Sequence, residues 1–171
     1  MRQSAKIEGD FVVFLIGMRI NKLRAVRTWF PVAREMAPML KELYADPSSG
    51  LLGVETFVRW RTVMMVQYWR SMEQLLRYAR DPDAHHWPAW KRFYRRAYES
   101  GAVGIWHETY AVRGYETLYG NMPPFGLGAA AELVPARELG NRAADRLAVS
   151  GWSPSGPASD HRPPGATATR H

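Results

Sequence analysis

Cysteine is absent from the 171 residues. That absence excludes a disulfide scaffold, a thiolate nucleophile, Cys-ligated zinc and iron–sulfur clusters. A long apolar run is missing too. The longest, FVVFLIGM at residues 11–18, falls far short of the roughly 20 residues that a membrane-spanning helix needs. The first ten residues are polar and no secretory apolar region follows them, so the expected compartment is the cytoplasm, with no membrane partner. The chain has no G-x-G-x-x-G dinucleotide fingerprint, no G-x-x-x-x-G-K-[ST] phosphate loop and no G-x-S-x-G nucleophile elbow.

What the chain does have is positive charge and aromatic residues. It carries 23 basic and 16 acidic residues for a net charge of +7, and 19 of the 23 are arginine. A balance of this kind raises nucleic acid as a partner. However, the one dense run, Lys91, Arg92, Arg95 and Arg96, lies among Trp90, Phe93 and Tyr94 on one predicted helix. It reads as the solvated face of a helix with an aromatic core side, so no nucleic-acid partner is expected. Apolar residues at 46% and charged residues at 23% are ordinary for a globular domain.

Composition shifts near residue 135. Residues 150–171 are rich in Pro, Gly, Ser, Thr and Ala, too polar to offset their ordering entropy by burial. The expected folded domain is therefore residues 8–134, and 135–171 is expected to be a largely disordered extension with a short helix over 136–149. Within the domain, residues 11–18 read as a buried strand. Val26, Phe30, Ala33, Ala37, Leu40 and Tyr44 recur at helical spacing over 24–44. Pro31 and Pro38 remove backbone donors there, which predicts a kinked or split helix. Two strands over 51–60 and 61–70 are joined tightly around 59–62. Ser71 with Gln74 resembles a capping box for a short helix through Leu75, Leu76 and Ala79. Asp81-Pro82-Asp83 breaks it, a second helix runs to about residue 100, and 102–112 is the last strand. The order is βαββαβ, an α+β ferredoxin-like arrangement.

Side chains alternate across a strand. Phe11, Val13 and Leu15 oppose Val12, Phe14 and Ile16, and the other long strands are likewise apolar on both faces. Helices in this topology cover one face only, so a second copy of the sheet is expected on the other: a homodimer.

The stretch VQYWRSMEQLLRYARDPDAHHWPAW (66–90) resembles the dimeric α+β barrel superfamily, which includes the small antibiotic-biosynthesis monooxygenases. FLIGMRINKL (14–23), LLGVETFVRWR (51–61), SGAVGIWHETYAV (100–112) and YGNMPPFGLG (119–128) together resemble a bacterial family of unknown function. That family is grouped with the fumagillin-pathway polyketide monooxygenase. The resemblance implies a dimeric α+β barrel with a small-molecule pocket between the sheet and helices of each subunit. Members variously oxidise polyketide aromatics without a cofactor, bind haem as chlorite dismutases, dye-decolourising peroxidases or aldoxime dehydratases, or bind ligands without chemistry, because fold does not dictate function.

His107 shares a strand face with Val103 and Ile105. It reads either as a general base or donor in the pocket or as a core histidine bonded to Gln67 or backbone. Gln67, Arg70 and Tyr68 are the groups expected to orient an oxyanion beside it. Trp69, Trp87, Trp90 and Trp106, with His86 at the pocket mouth and Phe125 in a Gly/Pro-rich segment, are expected to bind a planar substrate, or else to be core. Residues 119–128 read as a lid or as a dimer arm. His85 and His86 are adjacent and point about 100° apart on a helix, so no metal site is expected. The function expected is that of a monooxygenase-like enzyme acting on an aromatic or polyketide-like molecule with no organic cofactor. The alternatives are a haem lyase or peroxidase using His85, His86 or His107, and a non-catalytic ligand-binding dimer.

Overall fold

The computed structural model describes residues 2–81 and 99–152. Runs of β-branched and aromatic residues form the long strands β2 (Phe11–Ile20), β3 (Leu51–Arg59), β4 (Thr62–Trp69) and β5 (Val103–Val112). They make one antiparallel sheet in the order β3-β4-β2-β5. Helix α1 (Val26–Ala45) and a 3-10 turn at Pro47–Ser49 connect β2 to β3, and α2 (Met72–Arg80) follows β4. This is the ferredoxin-like split arrangement expected from the sequence, with the two central strands taken from its two halves. The helix predicted after Asp83, with its basic run and with His85, His86, Trp87 and Trp90, falls on residues 82–98, outside the described residues.

A second sheet was not anticipated. β1 (Arg2–Lys6) lies between β6 (Tyr119–Gly120) and β7 (Glu132–Pro135), and the short helices α3 (Leu127–Ala130), α4 (Ala136–Leu139) and α5 (Ala143–Val149) surround them. Ordered structure thus extends beyond residues 8–134 at both ends. β1 is held mainly by backbone pairing with β7 and by Thr117, whose Oγ1 accepts from the Ala5 amide at 2.8 Å. Neither bond shows in an apolar pattern.

Two local details also depart from expectation or sharpen it. Helix α1 continues through Pro31 and Pro38 over 20 residues. Each proline removes one backbone bond, and Trp29 and Leu43, packed into separate sheet clusters near its two ends, hold the helix across the gaps. The β3–β4 hairpin closes on the Arg59–Thr62 pair through a two-residue turn in which Trp60 has φ +46°.

The two faces of the large sheet have different cover. On the helix side, Val12 and Trp69 pack with Leu43 and Leu75, while Met18 and Val103 receive Trp29. On the other side, Phe11 packs with Ala5 of β1 and Leu127 of α3, joined by Val13 and Tyr68. The chain's own second sheet therefore covers one end of the face expected to lie against a second copy. Phe57 and Tyr110, elsewhere on that face, remain exposed.

Candidate functional site

β-register sorts the candidate residues. Ile16 pairs with His107 and Met65, and Phe14 pairs with Gln67 and Thr109. Alternation then puts His107, Gln67 and Trp69 on the helix side of the sheet, and Tyr68 and Trp106 on the reverse.

On the helix side, Trp69 is completely buried with its ring 5.6 Å from that of Tyr78, and its indole Nε1 donates to Gln67 Oε1 at 3.0 Å. This bond fixes the buried Gln67 amide with its oxygen occupied and its NH2 directed away from Trp69. Gln67 Nε2 makes no hydrogen bond among the described residues, which leaves two donors unspent on an apolar surface. His107 lies two strands over, its ring 5.9 Å from that of Phe14. It bonds neither Gln67 nor backbone among the described residues, so the core-histidine alternative lacks the bond it required. Strands are about 4.8 Å apart, so His107 and Gln67 lie on either side of Phe14, with Thr109 directly across from Phe14 and with His107 and Thr109 both exposed. The remaining candidates of that surface, His86, Trp87 and Trp90, lie outside the described residues.

Tyr68 and Arg70 do not join them. Tyr68 faces the second sheet, where burial, with help from Tyr119 and Glu55, raises its phenol above the ordinary value and a backbone hydrogen bond from Leu127 opposes the shift. It therefore stays protonated at neutral pH and would serve as a donor. The Arg70 guanidinium donates to the Glu8 carbonyl at 3.0 Å, at the exposed end of β4. Trp106 lies across Gly17 on the reverse face. Phe125 meets Phe57 edge-on at 6.1 Å. The aromatic set is thus divided between the two sides of the sheet.

Four groups missed in the sequence fix residues 119–130. Glu55 Oε1 accepts from the Gly126 amide at 2.8 Å, and Tyr119 Oη accepts from the Gly128 amide at 2.8 Å. Gly126 itself has φ +58°, a backbone state that glycine favours. Gly53 contributes by lacking a side chain: a Cβ there would sit 2.8 Å from that of Ala130. Period-two alternation, which puts Glu55 on the Tyr68 face, was the available signal. A cavity of about 530 Å³ lies elsewhere, between β1 and α5, lined by Lys6, Asp10, Arg113 and the Glu116–Arg146 pair among others.

Among the described residues, no group of three or more His, Asp or Glu side chains is arranged to hold a metal ion. A haem-ligating histidine almost always donates its second ring nitrogen to an acceptor that orients it. Among the described residues His107 has no such acceptor. No helix among the described residues is long and apolar enough to cross a membrane.

No curated protein matches the chain. Among solved structures, an aldoxime dehydratase is 19% identical with a TM-score of 0.55, covering 87% of this chain and 44% of its own. The chain thus spans less than half the length of that enzyme, and the likeness is one of fold. SnoaB, a cofactor-independent oxygenase from Streptomyces nogalater, is 12% identical with a TM-score of 0.44, covering 62% of this chain and 96% of its own. A dimeric ferredoxin-like protein from an uncultured marine organism is 16% identical with a TM-score of 0.42, covering 61% and 96%. The fold is the ferredoxin-like α+β arrangement. The model of the family described as monooxygenase af470-like matches residues 11–127, from the start of β2 to the start of α3. With more than half of its length matched in this way, the chain belongs to the monooxygenase af470-like family.

Proposed function

We propose that the protein is a monooxygenase-like enzyme that oxidises an aromatic or polyketide-like small molecule without an organic cofactor. The observation that carries this reading is the pair of polar groups, the exposed His107 imidazole and the buried Gln67 amide NH2, that share the helix-side face with Phe14. A phenol lying over Phe14 would give its proton to His107, and the Gln67 NH2 would donate to the developing oxyanion. The electron-rich phenolate then passes an electron to dioxygen. Recombination forms a carbon–oxygen bond, and loss of water from the resulting peroxide leaves a quinone. One dioxygen is consumed and one water released per phenol, with all four electrons supplied by the substrate.

The reading includes a homodimer. Phe57 and Tyr110 are exposed on the reverse face of the sheet, beyond the reach of β1 and α3, and a second sheet would cover them. Light scattering at micromolar concentration is expected to return twice the chain mass, and a single-chain mass would refute the dimer.

The activity is tested by oxygen consumption with electron-rich phenols. His107→Ala is expected to lower turnover at least about 100-fold, the usual size of a general-base contribution, with circular dichroism unchanged. A loss within about threefold would remove His107 from the mechanism. Titration with haemin is expected to give no saturable Soret band. A band saturating at one haem per chain would replace the cofactor-free reading with the haem one.

A further inference from the structure

Besides the run at 91–96, positive charge gathers in two segments that carry no acidic residue. Residues 19–30 and 58–62 contain Arg19, Lys22, Arg24, Arg27, Arg59 and Arg61 and no acidic residue, which leaves 17 basic against 16 acidic residues in the rest of the chain. The fold brings the two segments together. The Ile20 amide donates to the Arg61 carbonyl at 2.7 Å, and Arg61 Nη1 donates to the Asn21 carbonyl at 3.4 Å. Glu99, next to the Ser100 whose carbonyl accepts from Lys22 Nζ at 2.8 Å, brings one carboxylate to the adjoining turn.

Apolar side chains are exposed among these charges. Trp60 is 87% exposed and Val58 73%, with Leu23, Val26 and Phe30 also largely open. Trp60 is the most informative. It occupies a two-residue hairpin turn at φ +46°, a position that favours glycine or asparagine. The chain therefore carries a strained bulky residue whose side chain packs on almost nothing. Strain kept at a site where the fold gains nothing from it points to a use outside the fold.

We propose that this end of the sheet docks on an anionic lipid bilayer, with Trp60, Val58 and Phe30 entering the headgroup region and the arginines resting on acidic lipids. Tryptophan and arginine together are the residues that favour that boundary. A nucleic-acid surface would give the exposed valines and leucine no apolar partner. The inference is independent of the proposed oxygenase activity.

The test is co-sedimentation of the full chain with vesicles of phosphatidylcholine, with and without phosphatidylglycerol, at low and high salt. Binding is expected only to the anionic vesicles and is expected to weaken with salt. Each of Arg24→Gln, Arg27→Gln and Arg59→Gln is expected to cost about fivefold in affinity. Trp60→Asn is expected to lower vesicle binding severalfold while leaving the melting temperature unchanged or raised, because asparagine suits the turn. A purely structural tryptophan would lose stability and leave binding unchanged. Absence of binding to anionic vesicles, equal binding to neutral ones, a Trp60→Asn variant that binds like its parent, or retention of a short oligonucleotide in place of vesicles would each overturn the proposal.

Discussion

Replacing Glu116 by alanine leaves a guanidinium in the interior without its counter-ion. Arg146 is only 6% exposed, and its Nε donates to Glu116 Oε1 at 2.8 Å. Its Nη2 donates to the same oxygen, and Nη1 donates to the Gly140 carbonyl at 3.1 Å. Breaking a fully buried pair costs about 3–5 kcal/mol, whereas exposed pairs are worth about 0.2–1 kcal/mol. Here one partner is dry and the other, Glu116, is 29% exposed. The expected loss for Glu116→Ala is therefore about 2–3 kcal/mol, a large share of the 5–15 kcal/mol typical of a whole domain. Urea unfolding followed by circular dichroism measures it. The double variant Glu116→Leu with Arg146→Met is expected to recover to within about 1 kcal/mol of the parent, because no buried charge is then left alone. A loss below about 0.5 kcal/mol for Glu116→Ala would refute the reasoning. It would mean that α5 swings into water at little cost and that the docking of residues 143–149 contributes almost nothing to the fold.

Gly17→Ala is expected to destabilise by about 1–3 kcal/mol and to change the near-ultraviolet circular dichroism, because the new Cβ would lie 2.6 Å from Trp106 Nε1. An unchanged spectrum would show that Trp106 does not lie over β2. Ser71→Ala removes the hydroxyl that accepts from the Gln74 amide at 3.2 Å and should cost about 1 kcal/mol, read as a shift in urea midpoint. Burial raises the phenols of Tyr68 and Tyr119 above the ordinary value of about 10. The folded state holds those protons more tightly than the unfolded one. The stability they contribute is complete below about pH 10 and is lost as pH rises through the raised folded values. In an absorbance titration of phenolate, the two should ionise later than exposed tyrosines, and ordinary titration of both would show that α3 does not cover them.

The four long strands and the Ser71 cap were legible because apolar alternation and capping chemistry are local. Phe11 to Met18 is apolar on both faces and reads as a buried strand. The site was half legible. Alternation placed His107 with Val103 and Ile105 on one strand face, and the register shows that this face is the helix side. The same arithmetic separates Tyr68 from Gln67 and Trp69, and grouping them as chain neighbours ignored it. β1 was not legible because RQSAK has no apolar face. Its order comes from backbone pairing with β7 and from Thr117, both far along the chain. The arginine- and alanine-rich 136–149 looked like the start of a tail because the Glu116–Arg146 pair that ties it down is a tertiary contact that composition does not encode.

The central place of β1 in the small sheet imposes an order of assembly. Ser4 bonds Thr117 across 113 residues of chain, and β6 and β7 meet β1 but not each other. During synthesis β1 therefore waits for partners made more than a hundred residues after it. The large sheet can close as soon as residue 112 emerges, while the small one cannot form until residue 135 is out. Until then Phe11 and Val13 lie bare on the reverse face, which makes the nascent chain adhesive over the interval between the closing of the two sheets.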